Sequence, residues 1–470
     1  MTASPASIRT ALADAAPTSF WLDSPDAPLA APALTGHNQC DLAVVGAGYT
    51  GLWTALLAKE ADPSRAVLLL EGRTAGWAAS GRNGGFCAAS LTHGIGNGMA
   101  RFPEEMPVLE RLGRENLDAI EAVVTRYEID CDFLRTGVLE VATEPHQLEW
   151  LADEVALANR LGHDAVLLDQ AGVQAELASP SYLGGCWHRN DTALVDPARL
   201  AWGLRAACQR LGVRIAERTQ VDSVARDGAG VLLHCAGGAS VRAGRVALAT
   251  NAFPSLLRRV RPYVVPVYDY VLMTEPLSAA QLHAIGWRNR QGVGDVTNQF
   301  HYYRLTRDNR ILWGGYDAIY HWRNGLRDEL DQRPATFTLL ARQFFETFPQ
   351  LDGLCFTHAW GGAIDTSTRF FAFQRTALSG RVAYSLGYTG LGVGASRFGA
   401  QVMLDLLAGR STEVNSLLAI RSRPLPFPPE PARYLGIELT RRALARADER
   451  QGRRGPWLRL LDRFGMGFDS

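Results

Sequence analysis

Lysine is almost missing from this chain: of 48 basic residues only Lys59 is a lysine, and the rest are arginines. Arginine stays protonated and grips carboxylates or phosphates bidentately, but it is a poor proton donor and does not serve as a Schiff-base amine. Chemistry through a lysine amine is thereby confined to one position, inside a helical pattern. Excess charge is missing too. The 48 acidic residues balance the basic ones, so the formal net charge is zero and nothing points to nucleic acid. No apolar run reaches membrane-spanning length, and the first 20 residues lack the basic head and apolar core of a secretion signal, so a cytoplasmic protein is expected. The seven cysteines, at positions 40, 87, 131, 186, 208, 235 and 355, stand singly with no Cys-x-x-Cys. That argues against a disulfide framework and against a zinc site, and no metal is expected.

What is present is a nucleotide fingerprint. An apolar run from Asp41 stops at Gly46-Ala47-Gly48-Tyr49-Thr50-Gly51, an Ala/Leu-rich helical stretch follows, and a second apolar run ends in Glu71. Gly46 permits the tight strand-to-helix turn, Gly48 lets backbone approach a pyrophosphate, and Gly51 lets the helix pack on the sheet. The helix N-terminus offers free N–H groups to the anion. Glu71, with Gly72 and Arg73 after it, is placed to accept from a ribose 2′-OH, which favours an unphosphorylated adenosine ribose.

At 470 residues the chain is expected to hold two intimately joined domains. Residues 1–40, rich in Ala, Pro and Ser, read as a partly extended arm on the body, with an aromatic pair at Phe20 and Trp21. Residues 76–86 are too glycine-dense for a helix interior and read as a tight loop. Helical patterns follow at 102–127 and 144–161. Asp196 and Pro197 open a further helix as N-cap and first-turn residue. Short strands are expected at 212–215, 220–226, 231–235 and 240–242, and a buried one at 245–251. From 263 to 316 the pattern becomes alternating aromatic and aliphatic, as strands do. A returning strand at 382–386, a glycine turn at 387–394 and a helix at 395–407 close the body. The Arg-rich tail carries Leu444, Trp457, Leu458 and Leu461, which suggest docking on the body.

Taken together, the fingerprint with Glu71, the run Ala79-Ser80-Gly81-Arg82-Asn83-Gly84-Gly85, the pair Thr250-Asn251, Trp360-Gly361, and the turn Gly387-Tyr388-Thr389-Gly390-Leu391-Gly392-Val393 resemble the D-amino-acid-oxidase-like flavoenzyme superfamily. The likeness is to its glycine/sarcosine-oxidase and gamma-glutamylputrescine-oxidase branch and covers about 41–410. It implies an α/β fold: a Rossmann-type FAD-binding domain with an inserted β-rich substrate domain, as in glutathione-reductase-like proteins. The expected division is an arm at 1–40, FAD-binding parts at 41–100, 191–260 and 356–415, a helical substrate region at 101–190, a β-rich substrate domain at 261–355, and a tail at 416–470. The loop from Ser80 to Phe86 would pass the flavin and pyrophosphate, Val221 would meet the adenine through its backbone, and Thr250 and Asn251 would close the groove. The final glycine turn would point a helix N-terminus at the flavin pyrimidine, where it stabilises negative charge on the reduced ring. No cysteine follows Trp360 closely and no histidine sits between Ser80 and Phe86, so FAD is expected to be non-covalent.

The implied reaction is oxidation of a C–N bond in a small amine or amino acid, with hydride passing to the flavin and the imine hydrolysing. Dioxygen is the expected acceptor; another acceptor is the alternative, because the lysine that often stands over the flavin in relatives is missing. A hydroxylase or a non-catalytic flavin-fold binding protein are the remaining readings. Substrate-side candidates are Tyr270, His301, Tyr302, Arg304 and Trp360, an aromatic wall with polar tips that suits an alkylammonium by cation–π contact. Each of them is open to a purely structural reading as well, and the oligomeric state is not legible.

Overall fold

The computed structural model describes residues 4–463 apart from residue 316; the ends of the expected arm and tail, at 1–3 and 464–470, lie outside the described residues. The apolar run before Gly46 becomes the strand His37–Val45. It lies parallel to Val67–Leu70 on one side and to Ser240–Leu248 on the other. Leu42, Ala43 and Val44 are buried, as expected of a strand covered on both faces. Among the described residues this sheet has eight strands. Its main path runs Phe373–Ala377, Val382–Leu386, Ser240–Leu248, His37–Val45, Val67–Leu70, Arg214–Ala216. The helices Tyr49–Ala61, Pro197–Arg210 and Gly392–Ala408 pack together over it through Leu52, Trp53, Leu204 and Met403.

Asp196 caps its helix as expected, its side chain accepting from the Arg199 N–H at 3.0 Å. One expectation differs. The two strands expected at 240–242 and 245–251 are a single strand, Ser240–Leu248, because His37–Val45 templates its whole length, from His37 beside Ser240 to Val45 beside Leu248.

The second sheet has nine strands among the described residues. At its centre are Val265–Thr274, Ile311–Gly315, His301–Leu305, Gly292–Asp295 and Val138–Ala142. Its composition corrects the expected boundaries. The region 101–190 is not only helical: it adds Val138–Ala142, Ala165–Leu168 and Gly184–His188 to this sheet. The strand Phe356–Thr366, expected in the FAD-binding part, pairs antiparallel with Val265–Thr274 along its length. Both corrections have one cause: pairing between distant segments leaves no local mark.

Alternation in Val265–Thr274 sorts the two faces of this sheet. Tyr268 and Tyr270 join Phe337, Leu340 and Phe344 of the helix Pro334–Thr347 in an aromatic core. Val267, Asp269 and Val271 point the other way, into a cavity between the sheets. The arm contains the helix Pro5–Leu12 and lies on the body through Trp21, whose indole N–H donates to the Asn83 carbonyl at 2.9 Å, and through Leu34, whose N–H donates to Thr219 Oγ1 at 2.9 Å. The tail forms helices Ala432–Asp448 and Pro456–Arg463 beside the cavity mouth, tied down by Arg441 on Asp317 at 2.6 Å. Among the described residues no helix is long and apolar enough to cross a membrane.

Candidate active site

The cavity encloses about 1470 Å³ and runs from the glycine turn after Val45 to the β-rich sheet. Gly46 sits at φ 102°, a conformation open to glycine, and a Cβ there would collide with the Ala249 carbonyl. Gly48, Tyr49 and Thr50 line the cavity at the start of the helix Tyr49–Ala61. Ala47 and Gly51 lie behind it, Gly51 tight against the Gly46 carbonyl.

Glu71 organises this cradle. It is 8% exposed and accepts from the Ala47 N–H at 2.7 Å, the Arg73 N–H at 2.8 Å and the Trp77 indole at 3.0 Å. Burial pushes its carboxyl above the usual range while those donors pull it down. Gly72, Arg73, Val221, Thr250 and Asn251 also line the cavity, together with Gln220, which sequence reasoning did not select. The Thr250 hydroxyl is buried there without a hydrogen-bond partner. An orphaned donor beside a glycine turn and a helix N-terminus is what a dinucleotide would satisfy, so these residues fit the expected cofactor.

The loop from Ala79 to Phe86 is stiffened from within. Ser80 Oγ accepts from the Tyr49 N–H at 3.0 Å; Asn83 donates to the Ala79 carbonyl at 2.9 Å and accepts from the Gly85 N–H at 2.8 Å. Arg82 pairs with Asp331 and donates to the Trp77 carbonyl at 2.9 Å. Ala79, Ser80, Arg82, Asn83, Gly84 and Phe86 line the cavity; Gly81 and Gly85 face the protein.

At the other end, the final turn is held by a residue that sequence reasoning missed. Asp365, 1% exposed, accepts from the Gly387 N–H at 2.6 Å and the Tyr388 N–H at 3.2 Å, and burial pushes its carboxyl up to about 7. The turn leads into the helix Gly392–Ala408, three residues earlier than expected, with Tyr388, Thr389, Gly390, Leu391, Gly392 and Val393 on the cavity wall and Gly387 behind it. The Thr50 hydroxyl donates to Tyr388 Oη at 3.0 Å, joining the two helix starts on the cavity wall.

Of the substrate-side candidates, the structure brings only Tyr302 to the cavity wall. Its ring stands edge-on to Phe86 with centroids 5.8 Å apart, and lies so close to Gly84 and Gly314 that a Cβ at either would come within 2.6 Å. Its hydroxyl donates to Asp269 Oδ2 at 2.5 Å. The other Asp269 oxygen accepts from the Tyr270 N–H at 2.8 Å, and burial pushes this carboxyl up to about 6, with Tyr302 pulling it down.

The remaining candidates are placed elsewhere. His301 alternates with Tyr302 and so faces the helix side: it stacks on Trp313, its Nδ1 meets Asp295 at 2.6 Å and its Nε2 meets Gln343 at 3.0 Å. Arg304 is wholly buried, donating to the Val195 carbonyl at 2.6 Å below Trp21. Tyr270 donates to the Leu330 carbonyl at 2.9 Å and Trp360 to the Arg82 carbonyl at 2.8 Å, both inside packed layers, and Gly361 backs onto the Tyr270 ring. Lys59 donates to the Pro63 carbonyl at 2.6 Å, in the last turn of its helix and off the cavity wall.

The family of FAD dependent oxidoreductases that includes D-amino-acid oxidase matches residues 41–406. The chain belongs to that family. It is 32% identical over 398 residues to the gamma-glutamylputrescine oxidoreductase of Escherichia coli, covering 82% of this chain and 88% of that protein. It is 29% identical over 403 residues to the probable oxidoreductase OrdL of Haemophilus influenzae, covering 83% and 88%. Among solved structures, glycine oxidase from Geobacillus kaustophilus superposes with a TM-score of 0.65 at 19% identity, covering 80% of this chain and 96% of that one. As a member of the family, this is an FAD-dependent oxidoreductase.

Proposed function

We propose that this enzyme oxidises a C–N bond in a small amine or amino acid, taking hydride from the carbon bearing nitrogen and releasing an imine that water hydrolyses. Support comes from the relatives named for amine and amino-acid substrates. The observation that carries the reading is the Asp269–Tyr302 pair, a carboxylate on the cavity wall whose tyrosine partner packs against Gly84 and Phe86 of the loop. FAD, when bound, supplies the two-electron acceptor. The residues that would hold it are Gly46, Gly48 and Tyr49 at the first helix, Glu71 and Val221 at the adenosine end, the Ala79–Phe86 loop, and Leu391–Val393 at the second helix.

An amine reaches the enzyme as an ammonium and must lose a proton before it can give up hydride. Asp269 takes that proton, and Tyr302 holds the carboxylate in place while it does so. Val267 and Val271 on either side keep the wall dry, which favours the neutral amine. FAD is proposed to be non-covalent, since no cysteine lines the cavity among the described residues and the Ser80–Phe86 loop has no histidine, the cavity histidines being His93, His163 and His188; acid precipitation is then expected to leave the yellow colour in solution. Dioxygen is the proposed acceptor. A second acceptor is favoured by one observation: the lone lysine lies off the cavity wall.

The test is product analysis. Turnover of an amine panel should yield the carbonyl compound and the released amine in equal amounts, with one hydrogen peroxide per turnover. Carbonyl product without peroxide would move the acceptor from oxygen to another oxidant, and no carbonyl product from any amine would end the proposal.

A further inference from the structure

Further along the β-rich sheet is a cluster of side chains that the proposed reaction does not use. Glu140 on the strand Val138–Ala142 stands in register beside Cys186 on Gly184–His188, and His188 follows two residues on, on the same face. Glu154 reaches the same point from the helix Gln147–Arg160. One ligating atom each from Glu140, Glu154 and His188 lies within 4.8 Å of the others. His188 Nε2 is 3.8 Å from Glu140 Oε2 and 3.3 Å from Cys186 Sγ.

The cluster is not acid alone, and one oxygen of each carboxylate is left without a hydrogen-bond partner. Glu140 Oε2 and Glu154 Oε2 are both sealed from solvent with no hydrogen-bond partner. On the other side of His188, His163 has a side chain only 6% exposed. Its Nδ1 meets Asp191 at 2.6 Å, while its Nε2 stands 2.9 Å from Glu110, out of line for a hydrogen bond. Two carboxylates brought this close are costly while both are charged, and a cation between them removes that cost.

We propose that Glu140, Glu154 and His188 bind one divalent transition-metal ion, with zinc as the best-fitting ion. Nitrogen and oxygen donors about 2.0–2.2 Å from a tetrahedral zinc stand roughly 3.3–3.6 Å apart, close to the 3.8 Å between His188 Nε2 and Glu140 Oε2. A mixed nitrogen and oxygen set suits zinc over the hard cations, which favour oxygen alone. The ion ties the helix Gln147–Arg160 to the sheet. It also neutralises the two carboxylates on the cavity wall two strands from Tyr302, since Glu140 pairs with Gly294 and Gly294 with Tyr302; that is about 10 Å across the sheet. It takes no part in electron transfer.

The test uses the FAD-loaded enzyme dialysed against Zn(II), with bound metal counted by elemental analysis and stability followed by thermal unfolding. About one zinc per chain and a raised Tm are expected. The double variant Glu140→Gln/Glu154→Gln should weaken zinc binding by more than ~100-fold, beyond what changes outside the ligand shell give. Retained flavin absorbance in that variant shows that the fold is intact. No zinc above the dialysis background in the wild type, or zinc binding untouched in the double variant, overturns the proposal. None of these readouts depends on which substrate the enzyme oxidises.

Discussion

The Tyr302 phenol and the Asp269 carboxylate are joined at 2.5 Å across two β-strands that are not neighbours; Ile311–Gly315 lies between them. Gly314 makes this possible: its missing side chain leaves the gap through which the Tyr302 ring lies over the intervening strand. The ring is closed from the other side by Gly84 of the Ala79–Phe86 loop. The pair therefore joins the β-rich sheet to that loop.

If Asp269 takes the amine proton, Asp269→Asn should slow flavin reduction by about 10²–10⁴-fold, the usual range for a positioned base. FAD content should be unchanged. Anaerobic stopped-flow reduction at saturating amine measures this.

The pH profile carries a sign. Burial raises the Asp269 carboxyl to about 6, and the Tyr302 hydrogen bond pulls against that rise. Reduction should fall as pH drops through about 6 in the wild type. Removing the hydroxyl in Tyr302→Phe removes the downward pull, so the acidic limb should move to higher pH.

Asp365 should show itself in stability. Burial raises its carboxyl to about 7, far above an unfolded aspartate, so the folded state holds the extra proton. That contribution is complete below the unfolded value near 4 and is lost as pH rises through about 7. The Tm difference between wild type and Asp365→Asn should accordingly shrink or turn in the variant's favour as pH is raised from about 4 to 8. Thermal unfolding across that range checks it.

Arg304 separates structure from catalysis. Its buried guanidinium is 3.8 Å from Asp132 and donates to the Val195 carbonyl. Breaking such a buried pair costs about 3–5 kcal/mol, so Arg304→Met should lower Tm sharply. In the fraction that folds, KM for the amine should stay near the wild-type value. A large rise in KM at an unchanged Tm would place Arg304 at the substrate after all.

The parts of the fold and of the cavity wall that were legible are those written in local sequence: the turn at Gly46, the carboxylate at Glu71, the loop at 79–86 and, away from the cavity, the Asp196 cap. Each is fixed by neighbours within a few residues, so composition and spacing report it. Residues 301–304 show the limit. Strand alternation says that His301 and Tyr302 face opposite ways, but only the position of the helix Pro334–Thr347 decides which of them meets the cavity. Asp269 and Asp365 escaped notice because a carboxylate inside an apolar strand is recognisable only once its backbone donors are in place. Glu140, Glu154 and His188 come from three elements with no common spacing, and cysteine counting had argued against any zinc site.

The most direct measurement is the visible spectrum of the purified enzyme under anaerobic conditions, before and after adding amines and amino acids. The account predicts an oxidised flavin band that one amine class bleaches, and that bleaches at least about 100-fold more slowly in Asp269→Asn. A flavin band that no amine bleaches, or one bleached equally fast without Asp269, would contradict it.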